Sequence, residues 1–224
     1  MIRFRLFGFP VTVEPWHWAI LAFCGGALTI KVPEDLVPVL RFMAAGVVSI
    51  IIHELGHALT MRLCGGRHIS IVLHGMGGHA ISQGAPFSRG QHILISLAGP
   101  LLQAACGLLV LIAVITSADT SSGSTGLEVS PVYQLLDDFI FVSLFWAILN
   151  LIPVYPMDGG QILHGILGPR RVQLTFQISI IVAIVVGGLG FFVLKTWLLP
   201  IIMVFSAVEN YKALKRVRSS SAPW

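Results

Sequence analysis

Residues 42–63 read FMAAGVVSIIIHELGHALTMRL. The stretch is as long as a membrane-crossing helix, about 20 residues. It is largely apolar, yet it carries His53, Glu54 and His57 in its interior. On a helix, positions i and i+4 lie on one face, so the two imidazoles reach a single ion. Neutral imidazole nitrogens suit Zn²⁺ at about 2.0–2.1 Å. Glu54 follows the first ligand, where it faces the attacking water as general base and then supplies a proton to the leaving amine. Gly56 has no side chain, so another backbone can approach there. A five-residue HExxH pattern arises by chance, and its setting is what sharpens it. Two histidines and a glutamate inside an apolar membrane helix are costly unless something compensates, and a bound zinc would do so. The plainer alternative is a polar cluster that only binds neighbouring helices.

The composition agrees with a membrane setting. Of 224 residues, 55% are hydrophobic and 11% charged, with a mean hydropathy of +0.87. A soluble domain is about a quarter charged. So few charges cannot coat a water-facing surface, which excludes an ordinary soluble enzyme. The fold class expected is an all-α polytopic membrane protein of about six transmembrane helices, with a small membrane-associated β-strand and a β-hairpin.

Outward from residues 42–63, the other apolar runs fall at 16–30, 93–115, from 139 to the prolines at 153 and 156, 174–194 and 197–208. Ile2, Phe4 and Leu6 alternate with Arg3 and Arg5, a period of two that predicts a short strand. Residues 68–82 are too polar and glycine-rich to span, and predict a hairpin around Gly75–Gly78. Residues 117–131 are rich in Ser, Thr and Gly, a flexible loop. One integral-membrane domain is expected over 1–210, its core about 42–165, with a basic tail over 211–224. Arg3 and Arg5 resemble the start of a secretion signal. Pro10, Glu14 and Pro15 interrupt before any apolar run, and no cleavage site follows.

Charge sets the orientation. With six spans and both ends in the cytoplasm, eleven of the fourteen Lys and Arg lie inside, leaving Lys31, Arg41 and Lys195 outside. Both termini are therefore expected in the cytoplasm, with the HExxH site opening toward it. The net charge of +4 bears on orientation, and no nucleic-acid partner is expected. Cys24, Cys64 and Cys106 are odd in number and far apart, so they read as small buried hydrophobes.

A catalytic zinc keeps three protein ligands and one open position. The candidate third ligand is Asp158, in the segment Asn150-Leu-Ile-Pro153-Val-Tyr-Pro156-Met-Asp158-Gly159-Gly160. Two prolines end regular helix there. Irregular backbone at membrane depth survives only where protein covers it or it lines a wet cavity. The alternative is a loop aspartate just past a helix end. Asn150 is a candidate donor to the developing oxyanion or to substrate backbone; its alternative is a helix-capping role.

With these segments in place, the chain resembles the site-2 protease family of intramembrane zinc metalloproteases (peptidase M50). The residues concerned are HELGH at 53–57, NLIPVYPMDGG at 150–160 and Gly99-Pro100 between them. Leu6-Phe7-Gly8-Phe9-Pro10-Val11 and Gly77-Gly78 are similar to the compact sporulation-type branch. The likeness covers roughly residues 8–165. It implies a three-helix catalytic core, one zinc per chain held by His53, His57 and Asp158, and Gly99 and Pro100 as a packing motif of the middle helix. It also implies hydrolysis of a peptide bond in or beside a substrate's transmembrane segment. The substrate implied is a single-span membrane protein such as an anti-sigma factor or a membrane-tethered regulator. The family often has Asn three residues beyond the Pro of its Gly-Pro motif; here Gln103 stands there, which puts a helix contact in doubt. No PDZ insertion and no CBS domain is found.

The remaining histidines, His17, His68, His74, His79, His92 and His164, read as surface or interface residues. Trp16, Trp18, Trp146 and Trp197 lie near predicted span ends, as interfacial anchors do. Two rival functions are a membrane metal transporter and an inactive scaffold that binds membrane helices. A transporter would spread ligands over several spans, and a scaffold would be expected to lose Glu54 or a ligand. This chain concentrates them and keeps all four.

Overall fold

The computed structural model describes residues 1–220 except Met76, Ala85, 121–129, Leu194 and Thr196; the side chains of 118–120 and 220 are also outside the description. Most of the loop expected at 117–131 and the end of the tail lie outside the described residues. In chain order the elements are strands β1 (Ile2–Leu6) and β2 (Phe9–Val13), helices α1 (Pro15–Cys24) and α2 (Leu36–Leu63), strands β3 (Arg67–His74) and β4 (Gly77–Gln83), then helices α3 (Arg89–Thr120), α4 (Pro131–Leu151), α5 (Asp158–Leu167), α6 (Val172–Phe192) and α7 (Leu198–Ser220). They form two compact units: Met1–Pro86 with Ala98–Ile148, and Phe87–Leu97 with Leu149–Trp224.

Four helical stretches are long and apolar enough to cross a bilayer: Pro33–Leu63, Arg89–Ser117, Pro131–Leu151 and Pro169–Phe192. The chain is an integral membrane protein of helical spans with one small sheet. Two of the six expected spans fall short of this standard among the described residues. The first is only the ten-residue α1, which gives way at Gly25 and Gly26, the latter at φ +90°. The sixth is the apolar start of α7, whose second half carries Glu209, Lys212, Lys215, Arg216 and Arg218.

In the first unit, the strands form one sheet in the order β1-β2-β3-β4. The expected strand at 2–6 and hairpin near 68–82 are both present. The sequence reading left out β2, which pairs antiparallel with β1 and parallel with β3. Phe9, Val11 and Val13 point inward from β2 and meet Ile69, Ile71 and Leu73 of β3, with Leu21 of α1 and Ile50 and Ala58 of α2. This is the alternation expected of a half-buried strand. Pro10 sits on the outward face opposite Arg5. The sheet thus rests on the same helix that carries His53, Glu54 and His57. At the opposite end of α2, Arg41 Nε donates to Asp138 Oδ2 on α4 at 2.5 Å, and its Nη1 donates to Gln134 Oε1.

In the second unit, α6 and α7 pack through small residues. A Cβ on Gly187 would stand 3.2 Å from Met203 Cβ, and one on Gly190 would stand 2.9 Å from Leu199 Cδ2. The break between α4 and α5 is tied in by hydrogen bonds. Tyr155 N–H donates to Ser179 Oγ on α6 at 3.0 Å, and Asn210 Nδ2 on α7 donates to Tyr155 O. Val154 N–H reaches Ile152 O and Met157 N–H reaches Val154 O. Irregular backbone here is satisfied by protein, as a low-dielectric setting requires.

Candidate metal centre

Helix α2 brings His53, Glu54 and His57 together. They are 4%, 3% and 7% exposed, and their candidate ligand atoms all lie within 4.8 Å of one another. The two Nε2 atoms face each other at 3.1 Å, with the rings set edge to face at 78°. Two ligands of a tetrahedral zinc, each at about 2.0–2.1 Å, stand ~3.3–3.4 Å apart. The observed spacing is close to that edge.

Donor chemistry supports the same fit. His53 Nδ1 lies 2.9 Å from Gln103 Oε1. The Gln103 amide nitrogen donates to Ser49 Oγ at 2.8 Å and approaches Ser49 O at 3.4 Å. A carbonyl only accepts, which turns the amide oxygen toward His53. In that orientation Gln103 offers an acceptor to an Nδ1–H of His53, the tautomer in which Nε2 keeps the lone pair a metal needs. The residues present fit zinc. Gln103 accordingly carries more than the helix contact expected of that position. Its distance in sequence from His53 hides the contact; only the departure from the family's Asn marked it.

Glycines shape the rest. A Cβ on Gly56 would stand 2.5 Å from Ala98 O, and one on Gly99 would stand 2.3 Å from His57 Nε2. Helices α2 and α3 thus touch backbone to backbone beside the histidines. Pro100 is fully buried next to Gly99. A Cβ on Gly78 of β4 would stand 2.5 Å from Glu54 Cγ, so the hairpin lies on the glutamate. His74 and His79 on that hairpin are paired with each other, Nε2 to Nδ1 at 2.5 Å, with rings stacked. His17 is buried, and its Nδ1 lies 3.0 Å from His74 O.

Asp158 and Asn150 belong to the second unit. Asp158 is the first residue of α5 and 6% exposed. Its two following glycines are required by packing: a Cβ on Gly159 would stand 2.2 Å from Leu151 O, and one on Gly160 would stand 2.3 Å from Tyr155 N. Arg89 Nη2 donates to Gly165 O at 2.8 Å and to Ile166 O at 2.9 Å, which satisfies carbonyls at the far end of α5. Asn150 lies half-buried in the last turn of α4. Ser179 and Asn210, which hold Tyr155 three residues before Asp158, carried no signal in the sequence.

These motifs and this fold define a class. The Peptidase M50B-like family matches residues 21–219, and the chain belongs to that family. A zinc metalloprotease of Methanocaldococcus jannaschii is 28% identical over 167 residues, 75% of this chain and 45% of that protein. Stage IV sporulation protein FB of Bacillus subtilis is 24% identical over 217 residues, 90% of this chain and 66% of that protein. The chain thus spans less than half the length of the first relative and about two thirds of the second. Among solved structures, a site-2 protease from Methanocaldococcus jannaschii superposes with a TM-score of 0.62 at 24% identity, covering 95% of this chain and 94% of that one. The fold is that of a site-2 protease, as the sequence motifs imply.

Proposed function

We propose that this chain is an intramembrane zinc metalloendopeptidase that cuts a membrane protein in or beside its transmembrane segment. The observation that carries the reading is the buried pair of imidazole nitrogens, 3.1 Å apart, with Glu54 beside them on a membrane-crossing helix. His53 and His57 hold one zinc ion, with Asp158 as the third ligand. When bound, zinc supplies a Lewis acid and lowers the pKa of water toward about 7.

The chain's own residues do the rest. Glu54 takes a proton from the attacking water and returns it to the leaving amine. Asn150 donates to the developing oxyanion or to substrate backbone. Gly99 and Pro100 let α3 close against His57. The substrate helix unwinds before its peptide bond is exposed. Strand β4, at the edge of the sheet, offers an unwound segment a strand to pair with.

Six crossings with both termini in the cytoplasm fit the charge count, α1 and the start of α7 being the two shortest. The site then opens to the cytoplasm. The substrate class is a single-span regulatory protein of the anti-sigma-factor or membrane-tethered type.

The test is zinc content together with cleavage of a model single-span substrate, comparing the native chain with Glu54→Gln. Zinc retained with cleavage abolished is the expected result. Zinc retained with no cleavage by either chain points to a scaffold. Zinc moved across sealed vesicles points to a transporter. Cleavage by Glu54→Gln at the native rate sinks the mechanism.

A further inference from the structure

We propose that Gln103 is a positioning residue that fixes which nitrogen of His53 is offered to the metal, and that Ser49 and Ser143 lock Gln103 in the orientation this requires. The inference rests on the zinc reading above and adds residues that reading does not contain.

A neutral imidazole has one N–H, and a metal takes the other nitrogen. At His53 the Nδ1 proton needs an acceptor, and Gln103 Oε1 is that acceptor at 2.9 Å. A glutamine is a weak choice unless something prevents its amide from flipping. Flipped, it would present NH₂ to Nδ1, and the His53 proton would move to Nε2, where it blocks the metal. Ser49 prevents the flip. Its carbonyl, 3.4 Å from Gln103 Nε2, can only accept, and its hydroxyl holds the same nitrogen at 2.8 Å.

Ser49 lies one turn before His53 on α2, so one helix supplies both the ligand and the group that orients its partner. Ser49 Oγ is itself held at 2.9 Å by Ser143 Oγ on α4. Gly107 makes room for that contact: a Cβ there would stand 2.8 Å from Ser143 Cβ. Gln103, Ser49 and Ser143 are all 0% exposed. With solvent excluded, the network has few alternative partners and holds one arrangement. Metal-bound histidines commonly donate their second N–H to such a group, and its loss weakens metal binding by about 10–100-fold. Here the acceptor is an amide rather than a carboxylate, which explains why it needs two serines behind it.

The experiment uses the full chain in micelles. Zinc affinity is measured by chelator competition, and the visible spectrum is recorded after cobalt replaces zinc. Gln103→Leu keeps the bulk and removes the acceptor. It should weaken zinc by about 10–100-fold and change the cobalt bands. Gln103→Glu restores an acceptor and should hold zinc within a few-fold of the native chain with near-native bands. Ser49→Ala should fall between.

A native-like affinity and spectrum in Gln103→Leu overturns the proposal, as does a Gln103→Glu chain as weak as Gln103→Leu. Should Gln103→Leu fail to fold, Ser49→Ala decides: affinity and spectrum unchanged from native overturn the locking role and the proposal with it. A native chain that binds no zinc overturns the zinc reading itself, a result distinct from zinc bound equally by native and variant.

Discussion

Gly99 occupies the position from which a side chain would strike His57: a Cβ there would lie 2.3 Å from the His57 Nε2. The absence of a side chain on α3 is therefore a condition for the imidazole to sit where it does. The contact is with the candidate ligand nitrogen itself, so relieving it means turning the ring away from its present place.

Gly99→Ala should consequently displace the His57 ring. Zinc content after purification should fall well below that of the native chain. Fold stability should fall by about 1–3 kcal/mol, the usual cost of overpacking. Metal analysis and thermal unfolding on the same sample check both parts. Full zinc with native cleavage would show that the ring has room the geometry denies it.

Gly78 stands in a similar relation to Glu54, but toward chemistry rather than metal binding. A Cβ there would meet Glu54 Cγ, Cδ and Oε1 at 2.5–2.6 Å. Gly78→Ala should turn the carboxylate while leaving His53 and His57 in place. The expected outcome is a lower kcat with zinc content unchanged. Glu54→Gln sets the scale: general-base loss costs about 10²–10⁴-fold in rate. Gly78→Ala should fall inside that range, read by steady-state cleavage beside metal analysis. Loss of zinc in step with activity would place Gly78 on the ligands instead.

Much of this arrangement was written in local pattern. HExxH on an apolar stretch announced the paired histidines, period-two alternation announced β1, and the polar, glycine-rich stretch around Gly75–Gly78 announced the β3–β4 hairpin. The parts that escaped depend on residues far apart in sequence. Strand β2 carries the same alternation in Phe9, Val11 and Val13, but Pro10 within so short a run masked it. Its parallel partner Ile71 lies sixty residues on, which no local signal reports. The apolar run at 16–30 looked continuous, yet Gly25 and Gly26 end α1 early. Gln103 was visible only as a departure from a family pattern. Its contact with His53 needs α2 and α3 side by side. Asp158 was singled out by its motif, but its place at the start of a helix was not expected, because the prolines at 153 and 156 read only as breaks.

Arg41 and Asp138 tie the N-terminal halves of α2 and α4 together, at 22% and 21% side-chain exposure. Neither is fully in water, so the pair is screened less than a surface bridge. Arg41→Ala should destabilise the fold by about 1–3 kcal/mol, since it leaves a half-buried carboxylate with one fewer donor. Asp138→Ala should cost a similar amount, and the double variant less than the sum. A coupling of at least ~0.5 kcal/mol in a double-mutant cycle is the expected reading. Additive losses would mean that the two charges are stabilised separately, Arg41 by Gln134.

The assignment of Asp158 as third zinc ligand is tested by separating its two possible roles. As the first residue of α5, its carboxylate also favours the helix N-terminus electrostatically, worth about 0.3–1 kcal/mol. Asp158→Asn keeps size and hydrogen-bonding capacity but removes the charge; Asp158→Ala removes the oxygens as well. If the residue serves only the helix, both variants lose a little stability and keep their zinc. If it is a ligand, Asp158→Ala should lose most of its zinc and all measurable cleavage. Asp158→His, which offers a nitrogen ligand, should recover part of the metal without native turnover. Binding by chelator competition and unfolding of the same three variants decide between the roles. Zinc affinity unchanged in Asp158→Ala would leave His53 and His57 in need of another partner.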